Sequence, residues 1–152
     1  MSHVKIWIHL VFSTKHHQPL FTKEIRHSLF EHIRENARGK GIWLDYINGY
    51  SDHVHCLISL GKDQSIGKLS QLIKGESSNW INKQDYFRGK FFWQDDYFAV
   101  SVGSSQVEVV RKYIRNQENH HQKKSFTEEV KAFLEKYGWD KETDVGLKPN
   151  NR

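Results

Sequence analysis

The chain has 152 residues, and its 23 Lys and Arg against 18 Asp and Glu give a formal net charge of +5. This length predicts one domain, and an aromatic content of 13% excludes wholesale disorder. The one cysteine, Cys56, excludes an internal disulfide and a cysteine-rich zinc cluster. Without a signal peptide or a run of ~20 apolar residues, we expect a cytoplasmic protein with no membrane partner.

The N-terminal quarter of the chain predicts a strand followed by a helix. Residues 4–12 alternate with a period of two, which is typical of a half-buried strand. Thr22 is a candidate N-cap, and apolar residues follow it at a spacing of four. Gly39 and Gly41 then predict the end of this first helix.

The next segment predicts a hairpin. Residues 42–50 and 53–60 are two apolar-rich runs separated by the turn residues Ser51 and Asp52, so we expect two paired strands. The alternation assigns three residues of the first run to one face: Ile42, Leu44 and Tyr46.

The second half of the chain predicts one more strand and three helices. Ser65 is a candidate N-cap for the second helix, and residues 91–102, rich in aromatic residues and Val, predict the fourth strand. The segment Ser105–Glu108 has the pattern of a capping box that opens a third helix. A short fourth helix is expected from a cap at Thr127 to Gly138.

The order strand, helix, strand, strand, helix, strand is the split βαβ pattern of a ferredoxin-like fold. We therefore predict an α+β protein in which an antiparallel sheet carries helices on one face, with further helices at the C-terminus. The same framework hosts single-stranded nucleic-acid binders, but the order alone does not determine function.

The segment His53-Val54-His55 is the sequence feature that most specifically indicates a chemical function. Residues i and i+2 of a strand point to one face about 7 Å apart, so the two imidazoles can converge on one cation. Val54, Cys56 and Ile58 then point into the core. The alternative is a pair of surface histidines on a solvated sheet face.

Tyr113 and Gln117 are four residues apart on the third helix, so they share one face. A phenol with the usual pKa of ~10 is a poor nucleophile. Nearby cations (Arg111, Lys112 and Arg115) or a metal-polarised electrophile would make it usable. The carbonyl oxygen of Gln117 is a suitable hard ligand. The alternative is a tyrosine that only packs at the border of an apolar stripe.

These motifs together resemble the HUH endonucleases, which are named for two histidines flanking a hydrophobic residue. Asp52–Ile58 resembles the HUH motif, and Tyr113–Gln117 resembles the helix of single-tyrosine transposases. Ile73–Ser78 and Phe92–Val102 resemble the second-helix and fourth-strand segments of that family. The resemblance covers about residues 3–122, and points to the transposases of small insertion sequences and their relatives associated with repeated palindromes.

The resemblance implies an enzyme that cuts single-stranded DNA beside a hairpin and rejoins it without ATP. His53, His55 and Gln117 would hold Mg²⁺ or Mn²⁺. Tyr113 would be the nucleophile, forming a 5′-phosphotyrosine and releasing a 3′-hydroxyl that later attacks the linkage. The family also implies a homodimer with composite active sites, in which the partner supplies the tyrosine helix.

We expect a transposase domain over residues 1–138 and, from its polar composition, a flexible tail over residues 139–152. The fourth helix and the tail lie outside the resemblance. A non-catalytic or domesticated single-stranded nucleic-acid-binding protein on the same fold is the main alternative, and it would not need Tyr113. A structural zinc protein is less favoured, because a closed zinc site needs four ligands and the chain has one cysteine.

Basic and aromatic residues suggest where DNA binds. The candidate contacts are Arg111, Lys112, Arg115, Lys74 and Trp7. Phe92, Trp93 and Tyr97 are further candidates for base stacking, although a core role is expected for Phe92 and Trp93. His9 shares a strand face with Trp7 and is a candidate neighbour of the site. Asp52 either orients a ligating histidine or only forms the turn.

Overall fold

The computed structural model describes residues 1–121 and 124–136. The chain divides into two compact units, Met1–Glu118 and Asn119–Arg152. The strands and α-helices are β1 (Ile6–Ser13), α1 (Lys23–Gly39), β2 (Trp43–Gly49), β3 (His53–Leu60), α2 (Ile66–Lys83), β4 (Phe98–Val102), α3 (Val107–Arg115), α4 (Gln117–His121) and α5 (Phe126–Lys136). Short 3₁₀ helices cover Lys15–His17 and Ser104–Gln106. The proposed tail and its boundary at residue 138 lie outside the described residues.

The described part of the chain forms a four-stranded sheet in the order β2-β3-β1-β4. All neighbouring strands are antiparallel. This order confirms the predicted α+β, ferredoxin-like architecture. The two central strands, β1 and β3, pair along their whole length, from Ile6 opposite Leu60 to Ser13 opposite His53.

Helices α1 and α2 cover one face of the sheet. Both begin at the predicted caps: Thr22 accepts a hydrogen bond from the N–H of Ile25, and Ser65 accepts one from the N–H of Lys68. The core between helices and sheet is made mainly of buried aliphatic and aromatic side chains, among them Leu10, Phe12, Leu29, Ile33, Val54, Ile58, Leu69 and Ile73. Cys56 belongs to this core, and burial raises the pKa of its thiol, so it is a packing residue.

Helix α3 covers the opposite face. Its buried residues Val107 and Ile114 pack on Leu57 of β3, together with Trp7 and Tyr46. Strand β3 therefore lies between two apolar layers, and its residues from His53 to Ile58 are buried on both faces. The sheet does not present a solvated face to water at this point, which excludes the surface-histidine alternative.

Two strands differ from expectation. The fourth strand covers only Phe98–Val102, because residues 91–97 follow an irregular path with a single bridge from Trp93 to Thr14. In β2 the register shifts between Leu44 and Tyr46, so Tyr46 packs on the α3 side while Leu44 packs on the α1 side. A bulge moves the alternation by one residue, and the predicted common face for these residues is wrong.

Two helix starts also differ from expectation. Within the described residues, Gln106 takes the N-cap position of α3 without a side-chain capping bond, and Glu108 instead binds Arg111. A capping box occurs at α5, where the N–H of Glu128 donates to Ser125 and the N–H of Ser125 donates to the Glu128 carboxylate. Thr127, the predicted cap, lies inside that helix.

None of the helices in the described ranges combines the length and the apolar character that a bilayer crossing requires.

A matched pair of leucines tests the core. Leu29 is 0% exposed and Leu72 is 36% exposed. We expect Leu29→Ala to lower the free energy of unfolding by about 2–5 kcal/mol through lost burial and a residual cavity. Leu72→Ala should cost less than about 1 kcal/mol. Urea unfolding followed by circular dichroism measures both values, and equal losses would contradict this packing.

Candidate active site

The two histidines of β3 are fully buried on the sheet face that α3 covers. Their ring centroids are 5.1 Å apart, with the planes nearly perpendicular. A buried imidazole needs polar partners, since an unsatisfied ring nitrogen in an apolar layer is costly. The partners of these two rings therefore define the site.

His53 lies between a carboxylate and an amide. Its Nδ1 is 2.7 Å from Oδ1 of Asp52, a carboxylate oxygen that only accepts, so in the tautomer with one ring proton the lone pair is on Nε2. That Nε2 is 3.0 Å from Oε1 of Gln117. Two lone pairs that face each other at this distance repel unless a proton or a cation lies between them.

This spacing suits a divalent cation. Two ligand atoms at right angles around an octahedral ion with bonds of ~2.1 Å are ~3.0 Å apart. An imidazole nitrogen and an amide oxygen are also a reasonable donor pair for a divalent first-row metal or magnesium. The residues present therefore fit the ion that the histidine motif implies, and Asp52 orients a candidate ligand instead of only forming the turn.

His55 has a histidine partner. Its Nδ1 lies 2.8 Å from Nε2 of His9, and His9 is 3% exposed. The two residues come from adjacent strands: Val11 of β1 is opposite His55, and His9 is two residues before Val11. The expectation that His9 neighbours the site is confirmed by this geometry.

Tyr113 lies beside both of these histidines in the same chain. Its ring centroid is 5.7 Å from that of His55 and 6.2 Å from that of His9, and both pairs meet edge to face. The half-buried ring also borders the apolar cluster of Leu57 and Ile114. The packing interpretation is therefore correct for one side of the ring, while the other side faces the histidines.

The predicted single helix from Tyr113 to Gln117 is interrupted. Helix α3 ends at Arg115, Asn116 is its C-cap (φ −91°, ψ 15°), and Gln117 begins α4. The two side chains consequently do not lie one turn apart on a regular helix. They nevertheless reach the same histidine pair, Tyr113 at His55 and Gln117 at His53.

Asn48 holds the end of the tyrosine helix against the sheet, a role that sequence reasoning missed. It is opposite His55 in the β2–β3 register. Its Nδ2 donates to the carbonyl of Ile114 at 3.0 Å and to that of Arg115 at 3.2 Å. Both carbonyls belong to the last turn of α3, where the regular i→i+4 hydrogen bonds end, so the amide acts as a C-terminal cap. The only sequence signal is an asparagine inside a strand, where this residue is disfavoured.

Two of the five predicted DNA contacts, Arg111 and Arg115, lie against β2. Arg111 donates to Asp45 at 2.9 Å, and this hydrogen bond raises the pKa of its guanidinium. Arg115 lies with its guanidinium carbon 5.7 Å from the ring centroid of Tyr46. Both residues therefore help tie α3 to β2.

The other three predicted contacts lie in different environments. Lys112 is exposed and lines an open concavity of about 350 Å³ beside Tyr113. Lys74 is half-buried and donates to the carbonyls of Gln94 (2.7 Å) and Asp95 (2.9 Å), while burial lowers the pKa of its amine. Trp7 packs in the α3-side cluster. Their role in DNA binding stays a prediction.

The aromatic residues of the irregular segment differ from each other. Trp93 is 6% exposed and belongs to the core, as expected. Phe92 is 52% exposed, so the expected core role is wrong for this ring. Tyr97 is 37% exposed and lies 5.8 Å from the amine of Lys74.

Ionisable residues after Gln117 also have partners. Glu118 binds Arg26 at 2.7 Å, and the hydrogen bond lowers the pKa of the carboxyl. In the second unit, the buried carboxylate of Glu129 lies 3.0 Å from Nε2 of His121 and 3.6 Å from Nε2 of His120. The contacts of Glu129 link His120 and His121 to α5 within the second unit.

Comparison with known proteins identifies a family. A sequence model for IS200-like transposases matches residues 2–117. The ISDra2 transposase TnpA of Deinococcus radiodurans is 24% identical over 114 residues, which cover 72% of this chain and 81% of that protein.

Two solved structures share the fold. A crystal structure from Deinococcus radiodurans R1, described as that of a transposase, has a TM-score of 0.62 at 22% identity and covers 76% of this chain and 93% of its own. A REP-associated tyrosine transposase bound to a REP hairpin has a TM-score of 0.57 at 13% identity and covers 93% of this chain and 74% of its own.

The family match runs from before β1 to Gln117, so it includes both the histidine strand and the tyrosine helix. The chain belongs to the family of IS200-like transposases.

Proposed function

We propose that this chain is a metal-dependent endonuclease and strand transferase that acts on single-stranded DNA at hairpins through a 5′-phosphotyrosine. The observation that carries the proposal is the position of Tyr113 beside His55, in the chain whose Gln117 meets His53. Membership of a transposase family supports DNA as the substrate. The hairpin bound by one structural neighbour supports a hairpin next to the cleaved strand.

His53, His55 and Gln117 would hold Mg²⁺ or Mn²⁺. Bound there, the ion would neutralise the charge that develops on the scissile phosphate. Asp52 keeps the Nε2 lone pair of His53 directed at the site. His9 does the same for His55: if Nδ1–H of His55 donates to Nε2 of His9, the lone pair of His55 is on its Nε2.

Tyr113 is the nucleophile of the proposed reaction. Its hydroxyl oxygen attacks the phosphorus in line, the bond from phosphorus to the 3′ oxygen breaks, and that oxygen leaves as a 3′-hydroxyl after taking up a proton. The phenol loses one proton, so protons and charge balance. The helix-capping bonds of Asn48 fix the phenol against the histidine strand, and positioning of this kind is a large part of phosphoryl-transfer catalysis.

Rejoining is the reverse step with a different hydroxyl. A 3′-hydroxyl from another cleaved end attacks the phosphotyrosine, and the tyrosine oxygen leaves. The covalent linkage conserves the energy of the phosphodiester bond, so the reaction requires no nucleotide cofactor.

The contact between Tyr113 and His55 within one chain supports an active site that is built from a single chain. The composite homodimer expected from the resemblance would instead require two copies to exchange α3. To exchange α3, a chain would first have to break three hydrogen bonds between α3 and β2. Asn48 donates two of them to carbonyls at the end of α3, and Arg111 donates the third to Asp45. We therefore propose catalysis within one chain, whether or not the protein dimerises.

The first prediction concerns the nucleophile. Tyr113→Phe should abolish the covalent protein–DNA adduct, because it removes the attacking oxygen, and should leave DNA binding within about twofold. The assay uses hairpin oligonucleotides with randomised single-stranded flanks, Mg²⁺ and a denaturing gel. Tyr86→Phe, a change in the distant core, should keep the adduct. Equal adduct formation by Tyr113→Phe would contradict the assignment, and no adduct with the unmodified protein would favour a binding protein without catalysis.

The second prediction separates one-chain from shared sites. Tyr113→Phe and His53→Ala are each expected to be inactive, and mixing them should restore no cleavage if each site is built within one chain. Co-expression before purification allows any exchange to occur. Recovery to about a quarter or half of normal activity would show that α3 is supplied in trans.

The third prediction concerns the partner of His55. His9→Leu removes the acceptor for Nδ1, and loss of such a partner typically weakens metal binding about 10- to 100-fold. Isothermal titration with Mn²⁺ measures this directly. His9→Gln supplies an acceptor and should recover most of the affinity, and His32→Gln at a remote surface should change nothing. Unaltered Mn²⁺ affinity in His9→Leu would exclude this role.

A further inference from the structure

An outward-facing phenylalanine lies near the edge of the sheet. In the segment before β4, Phe91 is 3% exposed, Phe92 is 52% exposed and Trp93 is 6% exposed. The two buried neighbours anchor the backbone on either side. The core therefore holds the backbone that carries the exposed ring.

Backbone bonds to the end of β1 fix this segment further. The N–H of Lys15 donates to the carbonyl of Phe92 at 3.1 Å, and the N–H of Gln94 donates to the carbonyl of Ser13 at 2.8 Å. A bridge between Thr14 and Trp93 continues the pairing. An aromatic ring on a rigid segment loses little conformational freedom when it binds a ligand.

Two cations lie over the exposed ring. The amines of Lys15 and Lys90 each lie 5.5 Å from the ring centroid of Phe92. Both lysines are exposed, so their amines can reach a ligand placed on the ring. An exposed aromatic ring with two amines close to it complements a flat, neutral base between two phosphates, because the amines can bind the phosphates while the base stacks on the ring.

The turn that carries Lys15 has an uncommon conformation. His16 and His17 have φ values of 59° and 54°, in the left-handed region. The N–H of His16 donates to Oε1 of Gln94 at 3.2 Å, which helps to hold the turn against the Phe92 segment. Such conformations cost energy and are concentrated at sites that bind ligands.

The location of the ring connects it to the candidate active site. Ser13 is opposite His53 in the sheet, and the N–H of Thr14 donates to the carbonyl of Asp52 at 2.8 Å. The Trp93 bridge lies on the other side of β1, two strand spacings or about 10 Å from β3. Single-stranded DNA that is bound at the histidines and continues along this end of the sheet would reach the Phe92 segment.

We propose that Phe92, Lys15 and Lys90 form a stacking site for one unpaired base of single-stranded DNA close to the cleaved phosphodiester. The base lies on the ring, and the two amines contact the phosphates on either side of that nucleotide. This inference rests on the proposed function, because it specifies how the same DNA is held.

The test measures binding of fluorescein-labelled (dT)20 by anisotropy in EDTA, where no cleavage occurs. Phe92→Leu should weaken binding about 5- to 150-fold, the range expected for one lost stacking contact. Phe92→Trp should bind at least as well as the unmodified protein. The matched control is Trp43→Leu, because Trp43 is 68% exposed and lies at the opposite end of β3, across from Ser59. It should change binding less than twofold.

Salt dependence separates stacking from charge. The double variant Lys15→Gln/Lys90→Gln should reduce the slope of log K against log salt by ~1.4, since each phosphate contact to a single strand contributes ~0.7. Phe92→Leu should leave that slope unchanged.

The remaining outcomes distinguish a failure of the stacking site from a failure of the proposed function. If the unmodified protein binds (dT)20 and Phe92→Leu binds equally well, the stacking site is wrong and the proposed function stands. If Trp43→Leu loses as much affinity, or Phe92→Leu changes the oligomeric state, the ring is not a specific base platform. If the unmodified protein does not bind single-stranded DNA at low salt, the stacking site and the proposed function both fail.

Discussion

Burial of one strand between two helical layers is the constraint on which the site depends. Alternate residues of β3 enter different layers: Val54 and Ile58 face α1 and α2, while Leu57 faces α3. The same alternation brings His53 and His55 under α3. Imidazoles in that position must be paired with polar groups, and the chain supplies such groups from three separate elements.

Those partners determine what the site can do. Asp52 contacts Nδ1 of His53, and His9 contacts Nδ1 of His55. Each ring is therefore oriented through the same ring nitrogen. The opposite nitrogen of His53 meets Gln117. A polar cluster of this kind is stable only if all its members are satisfied, and a bound cation would satisfy the facing lone pairs of His53 and Gln117.

Much of this arrangement is predictable from local patterns. The strand alternation, the caps at Thr22 and Ser65 and the histidine spacing are signals that lie within a few residues of each other. They predict the sheet, two helices and the shared face of His53 and His55. The family resemblance then adds Tyr113 and Gln117, which no local rule connects to the histidines.

What could not be predicted depends on contacts between distant segments. The bulge that moves Tyr46 to the other face, the break at Asn116 and the cap from Asn48 all occur where α3 packs against β2. The outward position of Phe92 likewise depends on pairing of its neighbours with the end of β1. Every position in a run of aromatic residues is apolar, so the composition of the run does not identify the residue that faces water.

The central claim is that His53, His55 and Gln117 surround one cation with Tyr113 beside it. A crystal structure of the Mn²⁺-loaded protein, phased to locate manganese by its anomalous signal, tests this directly. The account predicts a single strong peak coordinated by the two imidazoles and the amide oxygen, next to the phenol of the same chain. A peak at other residues, or no peak at these three under saturating Mn²⁺, would contradict it.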